Sequence, residues 1–135
     1  MNIYGIGTDI VSIKRIKSSL KKKLFIKRIF NEQEVIKCKR GTTQYNCYAK
    51  RFAAKEAFSK ALGTGISNGI NLNEIVVLNK RSGKPYICVI GQTKKILIKK
   101  FKKKKSKISL SLSDEKKYAV AFVTISLWNQ KKFFN

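Results

Sequence analysis

Apolar and polar positions recur along the chain in blocks that predict a mixture of strands and helices. Residues 2–11, Asn-Ile-Tyr-Gly-Ile-Gly-Thr-Asp-Ile-Val, are rich in β-branched side chains and predict a strand. Ser12 then stands as a cap before Ile13, Ile16 and Leu20, whose spacing predicts a short basic helix through about Lys22. A second helical piece covers about Asn31 to Lys39, where Asn31 and Glu34 form a capping-box pattern and Gly41 follows. The longest helical stretch runs from about Thr43 to Leu62, with Gly63 as its stop. Asn73 to Asn79 and Tyr86 to Ile90 predict two strands around a turn at residues 81–85, and residues 92–105 a basic helix with Ile96, Leu97 and Phe101 inward. Ile108 to Ser113 alternates strictly and predicts a half-buried strand, on which Tyr118 to Leu127 pairs back across residues 114–117. This order, ending in an antiparallel hairpin, predicts one small α+β domain over residues 1–135, not a doubly wound sheet. The tail after about residue 128 is basic and aromatic and is expected to be loosely ordered.

Composition narrows the chemistry. The 135 residues are 43% hydrophobic, enough for a core, and no apolar run reaches the roughly 20 residues that cross a bilayer. The N-terminus lacks a signal-peptide pattern, so a cytoplasmic location is expected. Cys38, Cys47 and Cys88 form no C-x-x-C pair and read as small buried thiols in a reducing compartment. Lysine and arginine number 31 against 7 acids, a formal charge of +24 that attracts polyanions. The excess is mostly lysine and accompanies much Ile, Asn, Phe and Tyr, as an AT-rich coding sequence would also produce. The scarcity of acids says more: chemistry that needs a carboxylate has few candidates. With no histidine in the chain, a Ser/His/Asp triad is excluded and zinc is poorly served, whereas a hard-cation site of carboxylates and phosphate oxygens stays open.

Three places draw attention. On the long helix Glu56 falls among Tyr45, Ala49, Phe52 and Ala53, with Lys60 one turn on; this is either an ordinary i, i+4 pair or a metal-binding carboxylate beside a phosphate-binding lysine. Gly63-Thr64-Gly65 follows directly and is either a helix cap with a turn or a loop whose amides approach phosphate. On the first strand, alternation puts Gly5, Gly7 and Asp9 on one face, where Asp9 is either a cap for the next helix or an acid in a site kept uncrowded by the glycines. Ser109, Ser111 and Ser113 share a strand face that needs no function.

Together these segments resemble a known family. Gly5-Ile6-Gly7-Thr8-Asp9-Ile10-Val11 with Arg15, the helix and loop from Lys50 to Ile66, Gly83-Lys84-Pro85, and Ser111-Leu112-Ser113-Asp114-Glu115 before Tyr118-Ala119-Val120-Ala121 resemble, in order, the motifs of bacterial holo-acyl-carrier-protein synthases. The resemblance covers nearly the whole chain. It implies the 4′-phosphopantetheinyl transferase fold, with an antiparallel sheet packed by a long central helix. It also implies transfer of 4′-phosphopantetheine from coenzyme A to a serine of apo-acyl carrier protein, for fatty acid biosynthesis, releasing adenosine 3′,5′-bisphosphate.

By the same resemblance, Asp9 and Glu56 hold Mg²⁺ and Lys60 serves the phosphates, these three being the catalytic set. Lys60, Gly63, Thr64, Gly65, Lys84 and Pro85 bind coenzyme A, and Arg15 docks the acidic carrier. Homotrimers with sites at subunit interfaces are implied, with neither nucleic acid nor membrane as partner. Many relatives have histidine where this chain has Asp114; between a third acid near the metal and a turn residue, the turn is favoured. The rival reading is a basic nucleic-acid-binding module built on the lysines around residues 99–107, for which Glu56 would be irrelevant.

Overall fold

The long helix and a strand of unusual smoothness meet at the centre of the computed structural model, which describes residues 1–63 and 69–131. Strand β1 (Asn2–Ser12) runs antiparallel to β5 (Tyr118–Trp128), which pairs on its other edge with β4 (Lys105–Asp114), giving the sheet order β1-β5-β4. Helix α4 (Gln44–Leu62) covers one face of this sheet. It lies close because both partners are small there. A Cβ on Gly5 would overlap the carbonyl oxygen of Ala61, and one on Gly7 that of Ala57. Ala53, Ala57 and Ala61 are buried against the sheet side that carries Ala121, Val123 and Ile125 of β5. A second sheet, the hairpin of β2 (Ile75–Asn79) and β3 (Pro85–Val89), adds Ile75, Val77 and Ile87 to the same core.

Helices α1 (Ile13–Ser19), α2 (Lys23–Ile29) and α3 (Glu32–Lys39) build a satellite core of Ile13, Ile16, Phe30, Cys38, Tyr48 and Ala49 beside α4. Helix α5 (Gly91–Lys100) closes the far side through Leu97, with Phe101 behind it. No helix among the described residues is long and apolar enough to cross a membrane.

Most expected elements form where their local signals stand. Asn31 and Glu34 make a full capping box on α3, and Gly63 ends α4 in the left-handed region at φ 79°. Two differences have physical causes. The first helix stops at Ser19 instead of about Lys22, and α2 follows as a separate element that lacks a side-chain cap; tertiary packing of Phe25 and Ile29 sustains it, not a local signal. The cysteines correct the expectation of three buried thiols: Cys38 and Cys47 are joined in a disulfide between the end of α3 and the first turn of α4, and Cys88 is exposed. The two helix ends bring these sulfurs together, a proximity that spacing in sequence does not reveal. The start of the basic tail is described to residue 131, and residues 132–135 lie outside the described ones.

Candidate active site

Asp9 is the next inward-facing residue of β1 after Gly5 and Gly7, and so reaches the flank of α4 immediately past the close approach. The alternation that orients it also places Ile6, Thr8 and Ile10 on the opposite, exposed face. Asp9 does not cap α1, because the Ser12 hydroxyl accepts the Arg15 amide itself. Its carboxylate instead meets Lys60 of α4, with Nζ to Oδ1 at 3.1 Å, and the same ammonium donates to the Thr8 carbonyl at 2.9 Å.

Glu56 lies one helical turn before Lys60 and is half-buried. Burial first, and then the charge of Asp9, push its carboxyl above the usual carboxylate range, while Lys60 opposes them. Asp9 and Glu56 thus line one pocket, and the charge of Lys60, paired with Asp9, offsets only part of what raises Glu56. The adjoining cleft, about 280 Å³, is walled by Asp9, Glu56, Ser12, Arg15, Phe25 and Phe52. Arg15 is exposed on α1 at its rim. A negatively charged floor with cationic flanks suits a hard cation that carries phosphate. Among the described residues no group of three or more His, Cys, Asp or Glu is gathered, so protein ligands to such a cation would be these two carboxylates.

The remaining candidates lie elsewhere. Gly63 caps α4 just past Lys60, whereas Thr64 and Gly65 lie outside the described residues. Lys84 and Pro85 belong to the β2–β3 hairpin, and Pro85 borders a different cleft of about 690 Å³ with Lys50, Arg51, Lys80, Arg81 and Gly83. Arg51 is buried there, donates to Asn79 at 2.8 Å, and leaves its Nε without a partner. Asp114 is not in the turn; as the last residue of β4 it accepts from Asn46 at 2.7 Å and pairs with Lys50 at 3.5 Å, apart from the Asp9–Glu56 cleft.

Several residues escaped sequence reasoning. The aromatic wall Phe25 depends on how α2 meets α4, where it packs on Phe52, already expected beside Glu56. Lys55 is fully buried on Glu34, with 2.6 Å between Nζ and Oε1. A signal for it existed: Tyr48, Arg51, Lys55, Phe58 and Leu62 follow the three-four spacing of an inward stripe.

The model of the 4′-phosphopantetheinyl transferase superfamily matches residues 5–123. The chain belongs to that superfamily. Within it, this member is 50% identical over 125 residues to a holo-acyl-carrier-protein synthase of Pelagibacter ubique, covering 93% of this chain and 98% of that one. It is 46% identical over 129 residues to the one of Ehrlichia chaffeensis, covering 91% and 96%. The crystal structure of the Neisseria meningitidis synthase superposes with a TM-score of 0.81 at 38% identity, over 93% of this chain and 99% of that one. A Bacillus anthracis synthase in complex with coenzyme A (3′,5′-ADP) does so with 0.74 at 36% identity, over 91% and 96%. This transferase therefore has the α+β fold and the family expected of it.

Proposed function

We propose that this protein is a holo-acyl-carrier-protein synthase that moves 4′-phosphopantetheine from coenzyme A to a serine of apo-acyl carrier protein, in the cytoplasm, in support of fatty acid biosynthesis. The observation that carries the reading is that Asp9 and Glu56 line one cleft, with Lys60 paired to Asp9, in a chain of this superfamily. The serine oxygen attacks the phosphorus that bears pantetheine. A bond forms between them, the bond to the bridging oxygen breaks, and adenosine 3′,5′-bisphosphate leaves with the electron pair.

Such a transfer needs neutralisation of charge and in-line placement more than covalent help from the protein. Asp9 and Glu56 fit Mg²⁺, which is commonly held by one or two carboxylates plus substrate phosphates. Bound there, it would neutralise charge on the pyrophosphate. Lys60, paired with Asp9 in the free protein and more than half exposed, swings to the phosphates when they arrive. Glu56, or a water bound beside it, accepts the serine proton, and Gly63, Thr64 and Gly65 are the residues assigned to coenzyme A. Arg15 and its basic helix dock the acidic carrier.

The same reading makes the protein a homotrimer. The sheet face turned away from α4 exposes Ile6 at 60%, Ile10 at 63% and Phe122 at 45%, an apolar surface that a neighbouring subunit would cover. The basic cleft at Arg51, Arg81 and Pro85, next to Lys84 in the chain, then serves the nucleotide end of a coenzyme A held at a neighbour's Asp9 and Glu56.

The test is mass spectrometry of apo-carrier protein incubated with the protein, coenzyme A and Mg²⁺. Gain of one phosphopantetheine is expected, and a folded preparation that transfers nothing would sink the reading. Sedimentation should give three chains.

A further inference from the structure

The fully buried Lys55 precedes Glu56 on α4 and points about 100° round the helix from it, into the core. Its ammonium donates to Glu34 Oε1 at 2.6 Å, to the Leu72 carbonyl at 2.9 Å and to the Ile75 carbonyl at 2.6 Å, so all three N–H groups are used. Glu34 in turn accepts from the amides of Asn31 at 2.9 Å and Val77 at 3.1 Å. One ammonium thus joins α4 to α3, to β2 and to the point where the chain that leaves α4 at Gly63 comes back to it.

On its other side α4 meets β1 through Gly5, Gly7, Ala57 and Ala61. Contacts between small side chains resist rotation of a helix weakly, and the bonds on this side from Lys60 to Asp9 and the Thr8 carbonyl come from a long, exposed side chain that can follow the helix as it turns. Three hydrogen bonds from one ammonium are directional. With side chains projecting about 5–6 Å from the axis, a rotation of about 10° shifts their tips by about 1 Å. Displacements of that size cost about a hundredfold where reacting groups must align.

We propose that Lys55 is a positioning residue: it fixes the rotation of α4 that aims Glu56 and Lys60 at Asp9, and ties Leu72 to the same helix. The inference rests on the transferase reading. It bears first on the coenzyme A side, where Glu56 and Lys60 sit on α4 itself, whereas Arg15 reaches the cleft from α1.

The experiment compares wild type, Lys55→Met and the double variant Glu34→Gln/Lys55→Met, at a temperature where circular dichroism shows each folded. Replacing a buried ion pair by neutral groups is often tolerated, so the double variant guards against loss of folding through a lone buried charge. In both variants turnover should fall and the KM for coenzyme A should rise about tenfold, by more than any change in the KM for apo-carrier protein. Direct titration of coenzyme A into each variant should show the same weakening. Mere loss of folded protein would lower kcat and leave both KM values alone, and that result overturns the proposal. So does recovery of the coenzyme A KM together with melting temperature in the double variant, or failure of both variants to fold. A wild-type protein that transfers nothing would instead sink the transferase reading.

Discussion

Gly7 of β1 lies so close to Ala57 of α4 that a methyl group on it would occupy the position of the Ala57 carbonyl oxygen. Backbone cannot yield there without moving the helix, and the helix carries Glu56 and Lys60. Asp9, two residues along the same strand face, is therefore set at its distance from α4 by a missing side chain. Gly7→Ala should destabilise the fold by about 3 kcal/mol, at the upper end for overpacking, and lower the melting temperature by about 10 °C. Transfer activity should fall further than the folded fraction. Retention of wild-type melting and turnover would show that β1 and α4 are not in this contact.

The place of Glu56 in the fold costs stability. Burial and the nearby charge of Asp9 both disfavour its ionised form. Since its folded pKa is raised, the folded chain binds more protons than the unfolded one, and stability falls as pH rises through that window. Glu56→Gln removes the penalty, so the variant should melt a few degrees higher than wild type at neutral pH. Its turnover should drop by a hundredfold or more, the order seen when one group that stabilises transition-state charge is lost. Near-normal turnover would remove Glu56 from the site.

Glu74 supplies from outside the cap that α5 lacks in its own sequence. Burial would raise its carboxyl, but hydrogen bonds from Asn71, from the Thr93 hydroxyl and from the amides of Gln92 and Thr93 prevail and hold it below the usual range. The folded carboxyl is depressed, so its contribution is complete above the unfolded pKa and is lost as pH falls through the folded value. Glu74→Gln should cost about 1 kcal/mol at neutral pH, as helix caps do. Melting curves between about pH 3 and 7 should show wild type and variant converging on acidification. A gap independent of pH would mean that the charge plays no part.

The Cys38–Cys47 disulfide closes a short loop, nine positions in sequence, between α3 and α4. A loop of this size restricts the unfolded chain by about 2–3 kcal/mol. Reduction should lower the melting temperature by roughly 10 °C, and a Cys38→Ala/Cys47→Ala variant should melt at the reduced value whether or not reductant is present. Identical melting of wild type in both conditions would show that the pair is unbonded in solution.

Local rules suffice for much of this protein. The capping box at Asn31 and Glu34, the glycine stop at Gly63, the alternation that aligns Gly5, Gly7 and Asp9, and the final hairpin all depend on neighbours a few residues apart, and each is legible from order alone. The motifs also carry the family. What order could not decide is which partner each aligned face meets. Lys50, Lys55 and Lys60 look alike in the chain, yet they pair respectively with Asp114 at a strand end, with Glu34 in the core and with Asp9 in the cleft. The glycines of β1 leave room for another backbone, and only packing shows that it is α4. Pro85 falls into a second cleft and Cys38 finds Cys47 for the same reason. Burial, pairing and the raised carboxyl of Glu56 are properties of surfaces brought together by long-range contacts, and helical or strand period fixes a side chain's direction without saying what waits there.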